Sequence, residues 1–168
     1  MDSGKSSKSS SYSRANDDAP AKSPVVKQEP LEVLEQLCEW VFHLVARRLR
    51  RLSKNRRTLN VQDLLHSLLQ IYFEDVLQEE SSSSSRMGFL LKREQIVVVV
   101  KKARATLGAK EIGEQLLEDV VRYQAHHHCK SLVCFVHDPE GRIANPRGLE
   151  ADLAKEEPMF VRVYVRPR

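Results

Sequence analysis

No apolar run in this chain approaches the roughly 18 residues that a membrane-crossing helix requires, and its N-terminal segment lacks the apolar stretch of a secretion signal. These absences point to a cytoplasmic protein with no membrane anchor. Cysteine is scarce as well: Cys38, Cys129 and Cys134 are an odd set without CxxC spacing. A chain of 168 residues buries enough core to fold without disulfides, so the three thiols are expected to be reduced. His126, His127 and His128 adjoin Cys129. Two cysteines five apart across a helix-to-strand junction nevertheless make poor tetrahedral partners, and no metal site is expected there. Cys134 reads instead as a small core residue on a buried strand.

With 41% hydrophobic and 30% charged residues, the chain has the balance of a single folded domain. Residues 1–30 depart from it. They are rich in Ser, Lys, Asp and Pro and hold few large apolar groups, so they cannot offset the entropy of ordering and read as a disordered tail. The net charge of +4 is modest but uneven: Arg47, Arg48, Arg50, Arg51, Lys54, Arg56 and Arg57 crowd one short stretch. Such a cluster suits a phosphate backbone, which releases counterions on binding. Arginines near a helix C-terminus also complement the macrodipole, which accounts for part of the cluster without any ligand.

Periodicity organises the rest. Leu31, Leu34, Leu37, Cys38, Val41, Leu44, Val45, Leu49 and Leu52 recur every three to four residues, which predicts a long amphipathic helix over 31–53, the apolar part of a basic segment at 31–57. The spacing resumes from Val61 to Phe73 as a second helix. Residues 78–85 end in five serines and read as a flexible connector. Phe89 to Leu91 and Gln95 to Val100 are apolar runs separated by Lys92-Arg93-Glu94, a spacing that suits an antiparallel hairpin. The second run is β-branched and does not alternate, as in a strand buried on both faces.

A third helix is expected over 110–125, followed by the apolar strand Leu132 to Val136. Strand, helix, strand in that order implies a crossover and parallel pairing. Asp138-Pro139-Glu140-Gly141 reads as a turn, and a short helix near 149–154 leads to a last strand. There Val161, Val163 and Val165 alternate with Arg162, Tyr164 and Arg166, which predicts one exposed face. The expected architecture is α/β, a mixed sheet flanked by helices.

Several motifs carry a resemblance: Val61-Gln62-Asp63-Leu64-Leu65-His66, Ser85-Arg86-Met87 before Phe89-Leu90-Leu91, and Lys110-Glu111-Ile112-Gly113-Glu114-Gln115-Leu116. Cys129-Lys130-Ser131-Leu132-Val133-Cys134-Phe135-Val136, Asp138-Pro139-Glu140-Gly141-Arg142-Ile143 and Asn145-Pro146-Arg147-Gly148-Leu149-Glu150 continue it. In order and spacing, residues 61–167 resemble the DpnII-MboI-like branch of the PD-(D/E)xK nucleases. The resemblance implies a restriction-endonuclease-like domain over 61–168, Mg²⁺ as cofactor and cleavage of nucleic acid, DNA foremost. It implies that Lys101 occupies the catalytic lysine position, Gln115 that of a helix glutamine directed at the site, and Asp63 that of an acidic helix position near it.

Two positions depart from the family pattern. Gly88 stands where an aspartate precedes the Phe-Leu-Leu strand, and Val99 where a glutamate precedes the lysine by two. Mg²⁺ takes oxygen ligands, usually including one or two carboxylates, and neither side chain has an oxygen. The segment after the second helix also differs, with Gln78-Glu79-Glu80 and serines in place of a longer stretch bearing a tryptophan and a glycine pair, so the sheet edge and site rim are affected. His137 replaces the aromatic common before Asp-Pro, and His127 a proline.

The favoured expectation is therefore a nucleic-acid-binding protein of nuclease fold with impaired catalysis, a pseudoenzyme. One alternative is an active Mg²⁺-dependent DNA endonuclease of a defence or restriction type, with carboxylates recruited from Glu94, Glu79, Glu80 or Asp75. Glu114 and Glu118, beside Gln115, read as a solvated helix face. Another alternative is a non-catalytic interaction module, for which the N-terminal helix is the candidate homodimer contact.

Overall fold

A computed structural model describes residues 29–51, 60–80 and 87–168. Nearly all of the expected N-terminal tail and most of the serine connector lie outside these residues. The elements in chain order are α1 (Pro30–Arg51), α2 (Val61–Tyr72), β1 (Val76–Glu80), β2 (Met87–Leu91), β3 (Ile96–Lys102), α3 (Ala109–Gln124), β4 (Ser131–His137), α4 (Pro146–Leu153) and β5 (Phe160–Arg166). The strands form one five-stranded sheet in the order β1-β2-β3-β4-β5. The β1/β2 and β2/β3 pairs are antiparallel, and the β3/β4 and β4/β5 pairs parallel.

The expected hairpin and the strand-helix-strand crossover are both present. Local chemistry starts the helices where expected: Pro30 opens α1, and the Asn60 side chain accepts from the Gln62 amide at 3.1 Å to cap α2. At α3 the Glu111 carboxylate accepts from the Gly108 amide at 2.9 Å.

The pleat of the sheet sorts the core into two layers. Val97, Val99, Leu132, Cys134, Val161 and Val163 face Ile112, Leu116, Val120 and Tyr123 of α3. Phe89, Ile96, Val98, Val133 and Phe135 face the other way, onto Leu34, Leu37, Cys38 and Val41 of α1 and Leu65 and Leu69 of α2. α1 is integral to this second layer. Its five buried side chains, Val45 included, contribute on the order of 10 kcal/mol at about 1.5–3 kcal/mol each, comparable to the whole stability of a small domain.

Two expectations change in three dimensions. Gln78, Glu79 and Glu80, read from sequence as connector, are the second half of β1 and pair with Phe89, Gly88 and Met87. Their polarity suits an edge strand, which gains its order from one neighbour's backbone rather than from apolar alternation. The last strand has no fully open second face, because α1 lies across it. The Tyr164 hydroxyl donates to the Leu31 carbonyl at 3.2 Å, and Arg166, 2% exposed, is held by Glu35, Glu39 and Glu150. Of the three residues on the face expected to be exposed, only Arg162 is even partly so, its guanidinium 4.3 Å from the Phe160 ring centre. Gly141, with φ of 64°, supplies the left-handed residue of the expected turn.

His66, read from sequence as surface polarity, stacks half-buried on Phe89 with ring centres 5.0 Å apart. His137 is buried beside Phe42 and Phe135, with ring centres at 6.5 and 6.3 Å, and its Nδ1 has no hydrogen-bond partner among the described residues. Burial holds its pKa below 6.5, Lys102 pushes the same way, and Asp138 opposes both. The unfolded chain therefore takes up a proton at this residue more readily than the folded one. Its contribution to stability is complete above about pH 6.5 and declines as pH falls toward the folded pKa, by at most about 1.4 kcal/mol per pH unit. Unfolding midpoints measured from pH 7.5 to 5 should fall more steeply for the native protein than for His137→Phe. Parallel curves would remove His137 from the acid response.

Candidate active site

On β3, Val97, Val99 and Lys101 share the face turned to α3 by the two-residue period of the strand. Register places Gly88 of β2 directly opposite Val99, and Glu79 of β1 directly opposite Gly88. Cys134 of β4 pairs with Val99 on the other side. The two positions where the sequence lacks an expected acid are thus cross-strand neighbours, two residues along the strand from Lys101.

Lys101 is 5% exposed, and its Nζ lies 2.6 Å from Oδ2 of Asp119 on α3. Asp119 is itself 3% exposed, so this is a buried ion pair. The sequence motifs do not single out Asp119, although a signal exists. It shares the inward stripe of α3 with Ile112, Leu116, Val120 and Tyr123, and an acid on a buried stripe requires a cation across from it. Gln115 lies half-buried one turn earlier on α3.

Tyr123, one turn after Asp119 and 5% exposed, lies against Gly88. A Cβ at position 88 would overlap the Tyr123 hydroxyl and stand 3.4 Å from its Cζ and 3.5 Å from Val97 Cγ1. The pKa of Tyr123 is pushed up to about 12, chiefly by burial and further by the charges of Glu79 and Asp119. The phenol therefore stays neutral. Its neighbour Glu79 pairs with His126 Nε2 at 3.0 Å.

Asp63 is not brought to this cluster. It is exposed in the first turn of α2, in the layer on the other side of the sheet, where its carbonyl accepts from the Ser67 hydroxyl at 2.9 Å. Of the possible substitute acids, Glu94 lies in the turn that precedes β3, at the opposite end of that strand from Lys101, whose five-residue distance from Ile96 alone spans roughly 17 Å. Asp75, Glu114 and Glu118 are exposed. Glu79 alone of these lies in the row of Gly88 and Val99, two strands and roughly 10 Å of backbone from Val99. The Glu80 side chain lies outside what is described.

The donor set does not fit a Mg²⁺ centre. Val99 and Gly88 have no side-chain oxygen, Asp119 is engaged by Lys101 and Glu79 by His126. Among the described residues no three His, Cys, Asp or Glu side chains are grouped to hold a metal ion. The Cys129 thiol donates to the Ser131 carbonyl at 3.4 Å. Its pKa is raised to about 11 and that of Cys134 to about 12, both chiefly by burial, and the buried Cys38 is raised further for the same reason. None of the three free, buried cysteines is a thiolate nucleophile at neutral pH.

Of the basic cluster, Arg47 is exposed on α1. Arg48, Arg50 and Arg51 continue the helix, their side chains outside the description, as are Lys54, Arg56 and Arg57 altogether. Among the described residues no helix is long and apolar enough to cross a membrane.

A family model, REase_DpnII-MboI, matches residues 32–168. No curated protein and no solved structure shows significant similarity. The match includes α1, which the sequence motifs alone did not reach, in agreement with the packing of that helix into the core. It begins in the first turn of α1 and runs through every later element to the final residue, so this chain belongs to the DpnII-MboI family of restriction endonucleases and has their α/β fold.

Proposed function

We propose that this protein is a DNA-binding member of its family whose cleavage centre is silent. Family membership supports a nuclease-like function. The observation that carries the finer reading is the state of the lysine: Lys101 is buried against Asp119 and flanked by a valine and a glycine where metal-binding acids would stand. A metal supplies several kcal/mol of transition-state stabilisation, so losing it slows phosphodiester cleavage roughly a thousandfold or more.

The test is supercoiled-plasmid cleavage in Mg²⁺ and in Mn²⁺. Cutting by the native protein should not exceed that of buffer. Glu79 favours a second reading, an active enzyme with a recruited acid, because it alone of the possible substitutes shares the row of the missing pair. Cleavage by the native chain that disappears in Glu79→Gln would establish that reading instead.

Binding is the function that remains under the first reading, with the arginines at the end of α1 as its support. Affinity for a short DNA duplex should fall linearly with the logarithm of salt concentration. Replacing Arg47 and Arg51 with glutamine should weaken binding and reduce the slope by about 2, at roughly 0.9 for each phosphate no longer neutralised. An unchanged slope would place the DNA elsewhere. Pairing with another chain through Leu34, Leu37, Cys38, Val41 and Val45 of α1 is disfavoured, since these side chains are buried within the domain.

A further inference from the structure

We infer that Tyr123 locks the silent centre: its ring occupies the space an acidic side chain at position 88 requires, so restoring the two missing carboxylates cannot by itself rebuild a divalent-cation site. The inference rests on the silent-centre reading and adds a third residue to it. Gly88 has an ordinary backbone angle, and its need for glycine comes from close approach alone. Any Cβ there meets the Tyr123 hydroxyl, and an aspartate would have to thread two further bonds through the ring's position.

The ring has little room to yield. It is 5% exposed, packed in the layer of Val97, Val120, Leu132 and Met159, and its edge meets His126 with ring centres 6.5 Å apart. Tyrosine at 123 and a side chain at 88 are therefore alternatives on this backbone. Tyr123 acts through the space it fills and is a positioning residue with no direct chemical role.

Two measurements test this. The first is a stability cycle with small changes that leave the fold intact. Gly88→Ala should lower the melting temperature by several degrees in the native background and by clearly less in Tyr123→Phe, where the overlapping oxygen is gone. Equal losses in both backgrounds would overturn the lock. The second is Mn²⁺ binding by calorimetry. Gly88→Asp with Val99→Glu should bind Mn²⁺ no better than the native chain, whereas the same pair combined with Tyr123→Ala should bind at least tenfold tighter. Equal affinity with and without Tyr123, including no binding by either, would overturn the inference. DNA cleavage by the native protein is a separate outcome: it would refute the silent-centre reading while leaving the 88–123 stability cycle to be judged by its own numbers.

Discussion

Replacing Asp119 with leucine while Lys101 remains should destabilise the fold by about 3–5 kcal/mol, because it strands a charge where water cannot reach it. Both side chains of the pair are 4% exposed, so the ammonium left behind could not rehydrate without disrupting the α3 layer. Against a total stability of roughly 5–15 kcal/mol, such a loss would leave the domain marginal. Lys101→Met should also be damaging, because it removes the buried cation that faces Asp119.

The double change Lys101→Met with Asp119→Leu should recover most of the loss, since a buried ion pair is often no more stabilising than well-packed apolar groups of similar volume. Urea unfolding of the four proteins gives the cycle directly. A large loss in the double variant would mean that the pair also organises neighbours such as Gln115. A negligible loss in Asp119→Leu would mean that the lysine reaches solvent. The second result would also weaken the silent-centre proposal, which depends on Lys101 being held away from any substrate.

Arg166→Leu should cost somewhat less, about 2–4 kcal/mol. The guanidinium is nearly inaccessible, and it joins Glu35 and Glu39 of α1 to Glu150 of α4, with Nη–Oε distances of 3.0 Å to Glu35 and to Glu150. Glu35 and Glu39 are 41% and 43% exposed, so they can take up water when the arginine is gone. Glu150, at 14%, keeps Arg168 as a second partner. That asymmetry makes the change milder than stranding Lys101. Amide exchange should quicken most in α1 because the bracket anchors that helix, and Trp40, the chain's one tryptophan, lies on it. Uniform acceleration across the sheet would show that Arg166 supports the core generally.

Much of the fold could be read from local pattern. The β-branched run before Lys101 announced a strand covered on both sides, and Lys92-Arg93-Glu94 between two apolar runs announced the hairpin. Ile112, Leu116 and Val120 between two apolar strands announced the crossover. The face of β5 could not be read this way. Tyr164 and Arg166 look like solvent-facing residues in an alternating strand, and it takes α1, more than 120 positions earlier in the chain, to cover them. The half-polar strand β1 escaped notice because edge pairing leaves no apolar signature.

The candidate site divides along the same line. That positions 88 and 99 carry no oxygen is a covalent fact, determined by the sequence alone and independent of any packing. Side-chain periodicity likewise determined that Val99 and Lys101 share one face of their strand. Tertiary structure decided the partners: Asp119 for Lys101 across 18 positions, Tyr123 against Gly88 across a helix and a strand, and Asp63 in the layer behind the sheet. Periodicity reports which side of an element is buried, whereas the neighbour met there depends on how separate elements pack, and that is set by contacts between residues far apart in the chain.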